Sequence, residues 1–343
     1  MKSLISNHHE SPDSGIIISV IIPTLNEAEM ITRCLDSLAG CSYPPHKFEV
    51  IVVDNGSKDS TVQVAQLYGT RVQLTILNRP EATVSKLRNL GASVAQGEIL
   101  AFLDADCVVP SDWLENAQRH LTPPNNGVIG GFIGIPYDSR WVAQAWYGFG
   151  YAPKNGEVSY VPAGNLLVRR SCFVALGGFR DELRTAEDFD LCLRARTAGL
   201  PVRGVAEMAV LHLRTPQTLR QFYSRERWHG AHVLKALSRN VGSWADFRAC
   251  GFALYMLLCG LGIVTGLGCL WITQQSTVLL AALAATLTGA IVGSLFKLRT
   301  ARKRKGSLLA FVQLIVLHIV FGMARARALI SMQLVYPRSE ISS

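Results

Sequence analysis

The chain has 343 residues, a formal net charge of +9 and a mean hydropathy of +0.23, with only 17% of residues charged. That length holds one large or two ordinary domains. A basic balance in so apolar a chain points to a membrane protein with a cationic cytoplasmic face and argues against a nucleic-acid binder. Eight scattered cysteines without a CxxC pair read as reduced thiols, not as a zinc or disulfide framework.

Residues 1–15 are polar, lack a hydrophobic signal core and read as a disordered tail. Residues 16–22 form a β-branched run expected to be a buried first strand, closed by Pro23-Thr24-Leu25-Asn26-Glu27. Helical spacing of Ile31, Cys34, Leu35 and Leu38 follows. A second strand over 49–53 ends at Asp54-Asn55-Gly56-Ser57, and Asp59 or Ser60 caps the next helix. A third strand spans 72–77, and a helix over 85–95 carries Lys86, Arg88 and Asn89. Strand and helix alternate four times, which argues for an α/β fold with a mostly parallel sheet and helices on both faces.

The chain centres on the apolar run 99–103, a buried central strand with Asp104 and Asp106 just beyond its last apolar residue. Ligands of open α/β sheets bind outside the carboxyl ends of the strands. The two-residue period of extended chain sends both carboxylates to one side and Ala105 to the other. Two hard oxygen donors so placed suit Mg²⁺ or Mn²⁺ shared with substrate phosphates. Neither GxGxxG nor a Walker motif is present, which disfavours a dinucleotide or P-loop site.

Downstream, 161–165 (Val-Pro-Ala-Gly-Asn) precede a strand over 166–168 and a helix over 170–176 with Gly177-Gly178 as a left-handed cap. Glu187, Asp188 and Asp190 then crowd a helix start that ends at Gly199. One acid would complement the helix dipole; three clustered there need a further reason. Residues 209–212 end in His212, and 213–248 form a basic amphipathic segment suited to a membrane surface. Residues 249–272 and 277–296 are uncharged runs, the first about 36 Å long as a helix, enough to cross a bilayer. A third apolar segment, 308–330, contains Arg325 and Arg327 and reads as a further span or an interfacial helix, with a slight preference for the span. The loop 297–305 carries six cations, which places it, and with it the N-terminal domain, in the cytoplasm.

The motifs Ile22-Pro23-Thr24-Leu25-Asn26-Glu27, Val52-Val53-Asp54-Asn55-Gly56-Ser57-Lys58-Asp59, Arg88-Asn89-Leu90-Gly91 and Leu103-Asp104-Ala105-Asp106 resemble, in order and spacing, the family-two inverting glycosyltransferases of the GT-A fold. The resemblance covers about residues 16–230. It implies a doubly wound nucleotide-diphospho-sugar transferase domain followed by transmembrane α-helices. Residues 16–107 would be the nucleotide-sugar half, 108–212 the acceptor half and 249–335 the membrane region. Pro23, Thr24, Asn26, Glu27, Asp54, Arg88, Asp104 and Asp106 would bind the donor, with Asp106, Asp104 and His212 at the metal. For Asp54 a turn-forming role, for Arg88 a helix-surface salt bridge and for His212 a strand-end packing role are the alternatives.

The acidic cluster resembles the family's acceptor motif, which implies Asp188 as catalytic base and Glu187 beside it in catalysis or acceptor binding; Ala186 stands where polysaccharide synthases carry Thr. Gly164, Asn165, Arg227 and Trp228 would also meet the acceptor. Residues 225–230 partly resemble the Gln-x-x-Arg-Trp signature of processive synthases, with Ser224 as the departure. The function implied is sugar transfer from a nucleoside-diphosphate sugar to a lipid-linked or saccharide acceptor in cell-envelope polysaccharide, glycolipid or polyprenyl-phosphate sugar synthesis. The enzyme would be multi-pass in the inner (plasma) membrane, with lipids and no nucleic acid as partners. A sugar nucleotidyltransferase and a non-catalytic assembly partner of the same fold are the rival classes.

Overall fold

A computed structural model describes residues 15, 17–122, 127–148, 155–183, 185–237, 244–300 and 307–335. The expected N-terminal tail apart from residue 15, residues 238–243 of the basic amphipathic segment, and Arg302 to Lys305 of the cationic loop lie outside the described residues.

Strands β1 (Ile18–Thr24), β2 (Phe48–Asp54), β3 (Gln73–Asn78) and β4 (Ile99–Leu103) are parallel and form one half of an eight-stranded sheet in the order β3-β2-β1-β4-β9-β6-β10-β8. The other half contains β6 (Val128–Gly130), β8 (Gly156–Glu157), β9 (Asn165–Arg169) and β10 (Val202–Gly204). There β9 runs antiparallel to both β4 and β6. Side chains of β1 alternate between faces. Val20 and Ile22 enter one apolar core with Leu35, Val50, Leu103 and Trp113; Ile21 enters another with Val53, Leu87, Phe102 and Leu191. The sheet is therefore covered on both faces, by α1 (Ala28–Ala39), α2 (Thr61–Gln66) and α4 (Trp113–Leu121) on one and α3 (Val84–Val94), α6 (Arg170–Ala175) and α7 (Glu187–Thr197) on the other.

The helix boundaries follow the expected signals closely. Gly177 and Gly178 take positive φ after α6, and Gly199 does so after α7. Asp59, not Ser60, binds backbone near the start of α2, accepting from the Thr61 amide at 3.1 Å. Asp190, in the first turn of α7, is 2% exposed and held by Arg194 at 2.6 Å and Arg180 at 3.3 Å.

A second, three-stranded sheet was not foreseen. It joins β5 (Cys107–Val108), β11 (Val210–His212) and β7 (Ile133–Gly134), with His212 opposite Cys107. Beyond it come α5 (Trp141–Trp146), earlier in the chain, α8 (Leu219–Leu237), α9 (Trp244–Thr273), α10 (Thr277–Thr300) and α11 (Leu308–Val335). Three helical stretches, Phe247–Thr273, Thr277–Arg299 and Leu308–Ile330, are long and apolar enough to cross a membrane. Helix α11 packs against α8, α9, α10 and α5.

Candidate active site

The carboxyl ends of β1, β2 and β4 converge on one edge of the sheet. Thr24 lies opposite Asp54 in the β1–β2 register, and both are buried. Pro23 is buried inside β1 opposite Val53, where it shapes the strand end. The Thr24 Oγ1 and Glu27 Oε2 atoms are buried without a hydrogen-bond partner, while the other Glu27 oxygen meets Arg214. Burial raises the Glu27 carboxyl above its ordinary value, and Arg214 opposes that rise. Asn26 takes a positive φ of 54° and clamps the neighbouring loop, its Oδ1 accepting from the Lys58 amide at 2.8 Å. Asp54 accepts from the Gly56 and Ser57 amides, each at 2.9 Å, and from the Ser57 hydroxyl. The turn-forming reading of Asp54 is thus what its oxygens display: Oδ2 accepts both amides, and Oδ1, with one bond, keeps a second lone pair.

At the end of β4, Asp104 and Asp106 point the same way and Ala105 is buried, 5% exposed. Each can offer one oxygen within 4.8 Å of the other and of a nitrogen of His212. His212 Nε2 sits 3.3 Å from Asp106 Oδ2, and its Nδ1 is buried without a partner. The small sheet brings it there: β11 pairs with β5, and the Leu213 amide donates to the Asp106 carbonyl at 2.8 Å. Burial raises the Asp106 carboxyl, His212 draws it back and Asp104 pushes it up again. Two carboxylates and an imidazole with one orphaned buried nitrogen fit a divalent cation of the Mg²⁺ or Mn²⁺ kind.

Arg88 is not on a helix surface. It is 3% exposed, donates to Asp104 at 2.8 Å and to Glu187 at 2.7 Å, and so ties the strand-end carboxylates to the start of α7. The loop before β9 makes a second tie. The Gly164 carbonyl accepts from the Asp104 amide at 3.4 Å, and the neighbouring Ala163 amide donates to Asp188 at 3.2 Å. A Cβ on Gly164 would lie 2.5 Å from Asp104 Oδ2, so glycine is what lets that carboxylate stand here. Ala186, before α7, takes a positive φ of 61°, a costly conformation for a residue with a Cβ. Asp188 also accepts from the Phe189 amide at 2.7 Å. It keeps some open surface in the cleft but is densely surrounded, and that loss of water pushes its carboxyl up to about 7, with Glu187 adding repulsion.

The acceptor expectations divide. Asn165 is fully buried, with its amide donating to the Met208 carbonyl at 2.7 Å and accepting from the Trp113 indole at 3.1 Å. A side chain so enclosed cannot reach an acceptor, and its place in the site is corrected to that of a scaffold. Arg227 and Trp228 are exposed on α8, Trp228 by 48%. The α8 cation that acts on Asp106 is instead Arg225, which stands over the Tyr147 ring at 5.4 Å. Arg214 was missed as the partner of Glu27 because that contact is set by the return of the chain after β11, not by local spacing.

A GT-A-type sheet whose central strand ends in an Asp-Ala-Asp pair, with a histidine returned beside it, defines a nucleotide-sugar transferase scaffold. Residues 19–177 match Glycosyl transferase family 2, and residues 99–323 match Glycosyl transferase family group 2. The chain belongs to the family-2 glycosyltransferases. It is 35% identical over 188 residues to glycosyltransferase AglE of Haloferax volcanii, covering 53% of this chain and 62% of that one. It is 29% identical to a pre-mycofactocin glycosyltransferase of Mycobacterium tuberculosis, covering 76% of this chain and 56% of that one. The chain thus spans about three fifths of the length of these relatives. Among solved structures it resembles the mannosyltransferase PcManGT of Pyrobaculum calidifontis in complex with GDP-Man and Mn²⁺. The TM-score is 0.57 at 22% identity, covering 93% of this chain and 89% of the other.

Proposed function

We propose that the protein moves a sugar from a nucleoside-diphosphate donor to a lipid-linked or saccharide acceptor, with inversion at the anomeric carbon. The reading places it in the inner (plasma) membrane with the catalytic domain in the cytoplasm, serving cell-envelope polysaccharide, glycolipid or polyprenyl-phosphate sugar synthesis. The observation that carries it is the linkage of two units: the Asp104, Asp106 and His212 group, and Asp188, joined through Arg88 and Glu187.

Thr24, Glu27 and Asp54, at the ends of β1 and β2, are placed to receive the nucleotide, and the orphaned Thr24 hydroxyl and Glu27 oxygen are the polar atoms left for it. Asp104, Asp106 and His212 would hold Mn²⁺ or Mg²⁺, which when bound supplies positive charge to the departing diphosphate. Asp188 takes the proton from the acceptor hydroxyl. The acceptor oxygen then bonds to the anomeric carbon while that carbon's bond to the diphosphate oxygen breaks, and the nucleoside diphosphate leaves with the electron pair. A carboxyl raised to about 7 suits this work, since a base is most effective when its pKa lies near the working pH. Glu187, held by Arg88, keeps α7 in register with the strand ends. Trp228 offers an exposed ring face, and Arg227 an exposed cation, to an acceptor saccharide.

The test is nucleoside diphosphate release from a panel of nucleotide sugars, using purified full-length protein in native lipid extract with and without Mn²⁺. Metal-dependent release from a preferred donor is the expected result. Release that ignores both metal and chelator would remove the metal from the account.

A further inference from the structure

Helices α9 and α10 form a hairpin that packs closely in its distal half. A Cβ on Gly266 would lie 2.6 Å from the Leu279 backbone, and one on Gly262 3.1 Å from Ala282 Cβ. Helix α11 meets this hairpin at the opposite end, beside the catalytic domain. There Lys297 Nζ of α10 stands 3.9 Å from the ring centre of Trp146, on α5. His318 Nδ1 of α11 lies 3.1 Å from Ser294 Oγ of α10, and a Cβ on Gly322 would lie 2.4 Å from Met256 Cγ of α9. The rings of His318 and Phe321 also flank Trp146, at 5.0 and 5.4 Å. The middle of α11, and neither of its ends, is therefore level with the domain-side end of the two spans.

At that level an upright α11 fits a bilayer poorly. Leu308 is ten residues before His318, about 15 Å at about 1.5 Å per residue, whereas α10 ends only about 9 Å beyond Ser294. Leu308 and Leu309, 79% and 66% exposed, would then stand in water. The second half of α11 would also carry α8 inwards, because the two helices lie side by side. Glu226 Oε2 accepts from Arg325 Nη2 at 2.7 Å, and a Cβ on Gly230 would lie 2.9 Å from Ala328 Cβ. Arg325 is seven residues past His318, about 10 Å deeper in an upright helix, and the exposed Arg227 of α8 would sink with it into hydrocarbon.

A helix lying along the surface avoids both costs. Leu309, Val312, Val316, Met323 and Ile330 are exposed and fall within about 60° of one another at about 3.6 residues per turn, one apolar stripe about 32 Å long. Leu314, Leu317, Ala324 and Ala328, on the other side of the helix, are buried. We infer that α11 is not a third crossing: it lies in the membrane interface on the catalytic-domain side, its stripe in the acyl-chain boundary of that leaflet and its other side seating α5 and α8. The helix is unbroken over its 28 residues, so it cannot enter the bilayer and turn back. The chain crosses twice, and residues 336–343 share a side with the catalytic domain. This topology does not depend on which sugar is transferred, or on whether one is.

The experiment labels full-length protein in sealed membrane vesicles with an impermeant maleimide, before and after permeabilisation. Variants are Ser93→Cys on the exposed surface of α3, Gln274→Cys in the turn between α9 and α10, and Ser343→Cys, with the unaltered protein as the blank for its own cysteines. Ser343→Cys is expected to label with Ser93→Cys and opposite to Gln274→Cys; any other grouping overturns the inference. A spin label at Val316→Cys or Ile330→Cys, read by collision with oxygen and with a water-soluble nickel chelate, supplies the depth. Equal, shallow depths beneath the headgroups are expected. A crossing helix would separate the two sites by about 21 Å along its axis. Such a separation, or free access of nickel to both, would equally overturn it.

Discussion

The strand-end carboxylates and the helices α5, α8 and α11 form two walls fixed by different means. In the sheet, the carboxylates stand on the ends of parallel strands whose side chains are buried on both faces, so backbone register sets their spacing. On the far side, α5, α8 and α11 meet through long-range apolar contacts and one buried ion pair, and no sheet holds them in register. The first wall can be specified by a few adjacent residues. The second depends on segments nearly a hundred residues apart, such as Glu226 and Arg325. Arg88 and the 163–164 turn are where the donor wall meets the start of α7.

That contrast can be broken at its junction. Asp188→Asn is expected to lower the transfer rate by about 10²–10⁴-fold while leaving donor binding intact, read as kcat against donor Kd. Near-normal turnover would take the base away from α7. Arg88→Met leaves Glu187 and Asp104 facing each other without the cation between them, and it should cost about 3–5 kcal/mol of stability, as for other broken buried pairs. Thermal unfolding of the purified variant checks this, and an unchanged melting temperature would mean that the strand ends and α7 are joined elsewhere.

The smallest effect is graded. Because the Asp188 carboxyl is raised to about 7, the ionised base is scarce in acid, and kcat should fall about tenfold for each pH unit below 7. The same shift has the opposite sign for stability. The folded chain holds that proton more tightly than the unfolded one, so Asp188 stabilises the fold fully below its unfolded pKa of 3.8 and loses that contribution as pH rises through about 7. A kcat flat from pH 5 to 8 would separate Asp188 from the rate.

The same contrast explains what could be read from the chain. Asp104 and Asp106 were legible because strand period and apolar run are local properties, and the sheet realises them directly. The alternation of strands and helices gave the two-faced sheet for the same reason. Asn165 was misplaced because it directly follows the site glycine in sequence, yet as the first residue of β9 it turns into the core against Trp113. His212 was recognised but left between two roles; only the pairing of β11 with β5, about a hundred residues upstream, puts its ring beside Asp106. Arg227 drew attention through a signature, and it lies exposed on α8. The partner of the buried Glu226 is Arg325 on α11, 99 residues away, and nothing in the local spacing of α8 encodes that pair.

The most direct test of the metal-centred cleft needs no acceptor. Electron paramagnetic resonance would count Mn²⁺ bound to full-length protein in the presence of UDP or GDP, for the unaltered chain and for Asp106→Ala. One nucleotide-dependent Mn²⁺ per chain, lost in Asp106→Ala, is the predicted result. Equal Mn²⁺ binding by both proteins would contradict the assignment of the strand-end carboxylates and, with it, the account of the site.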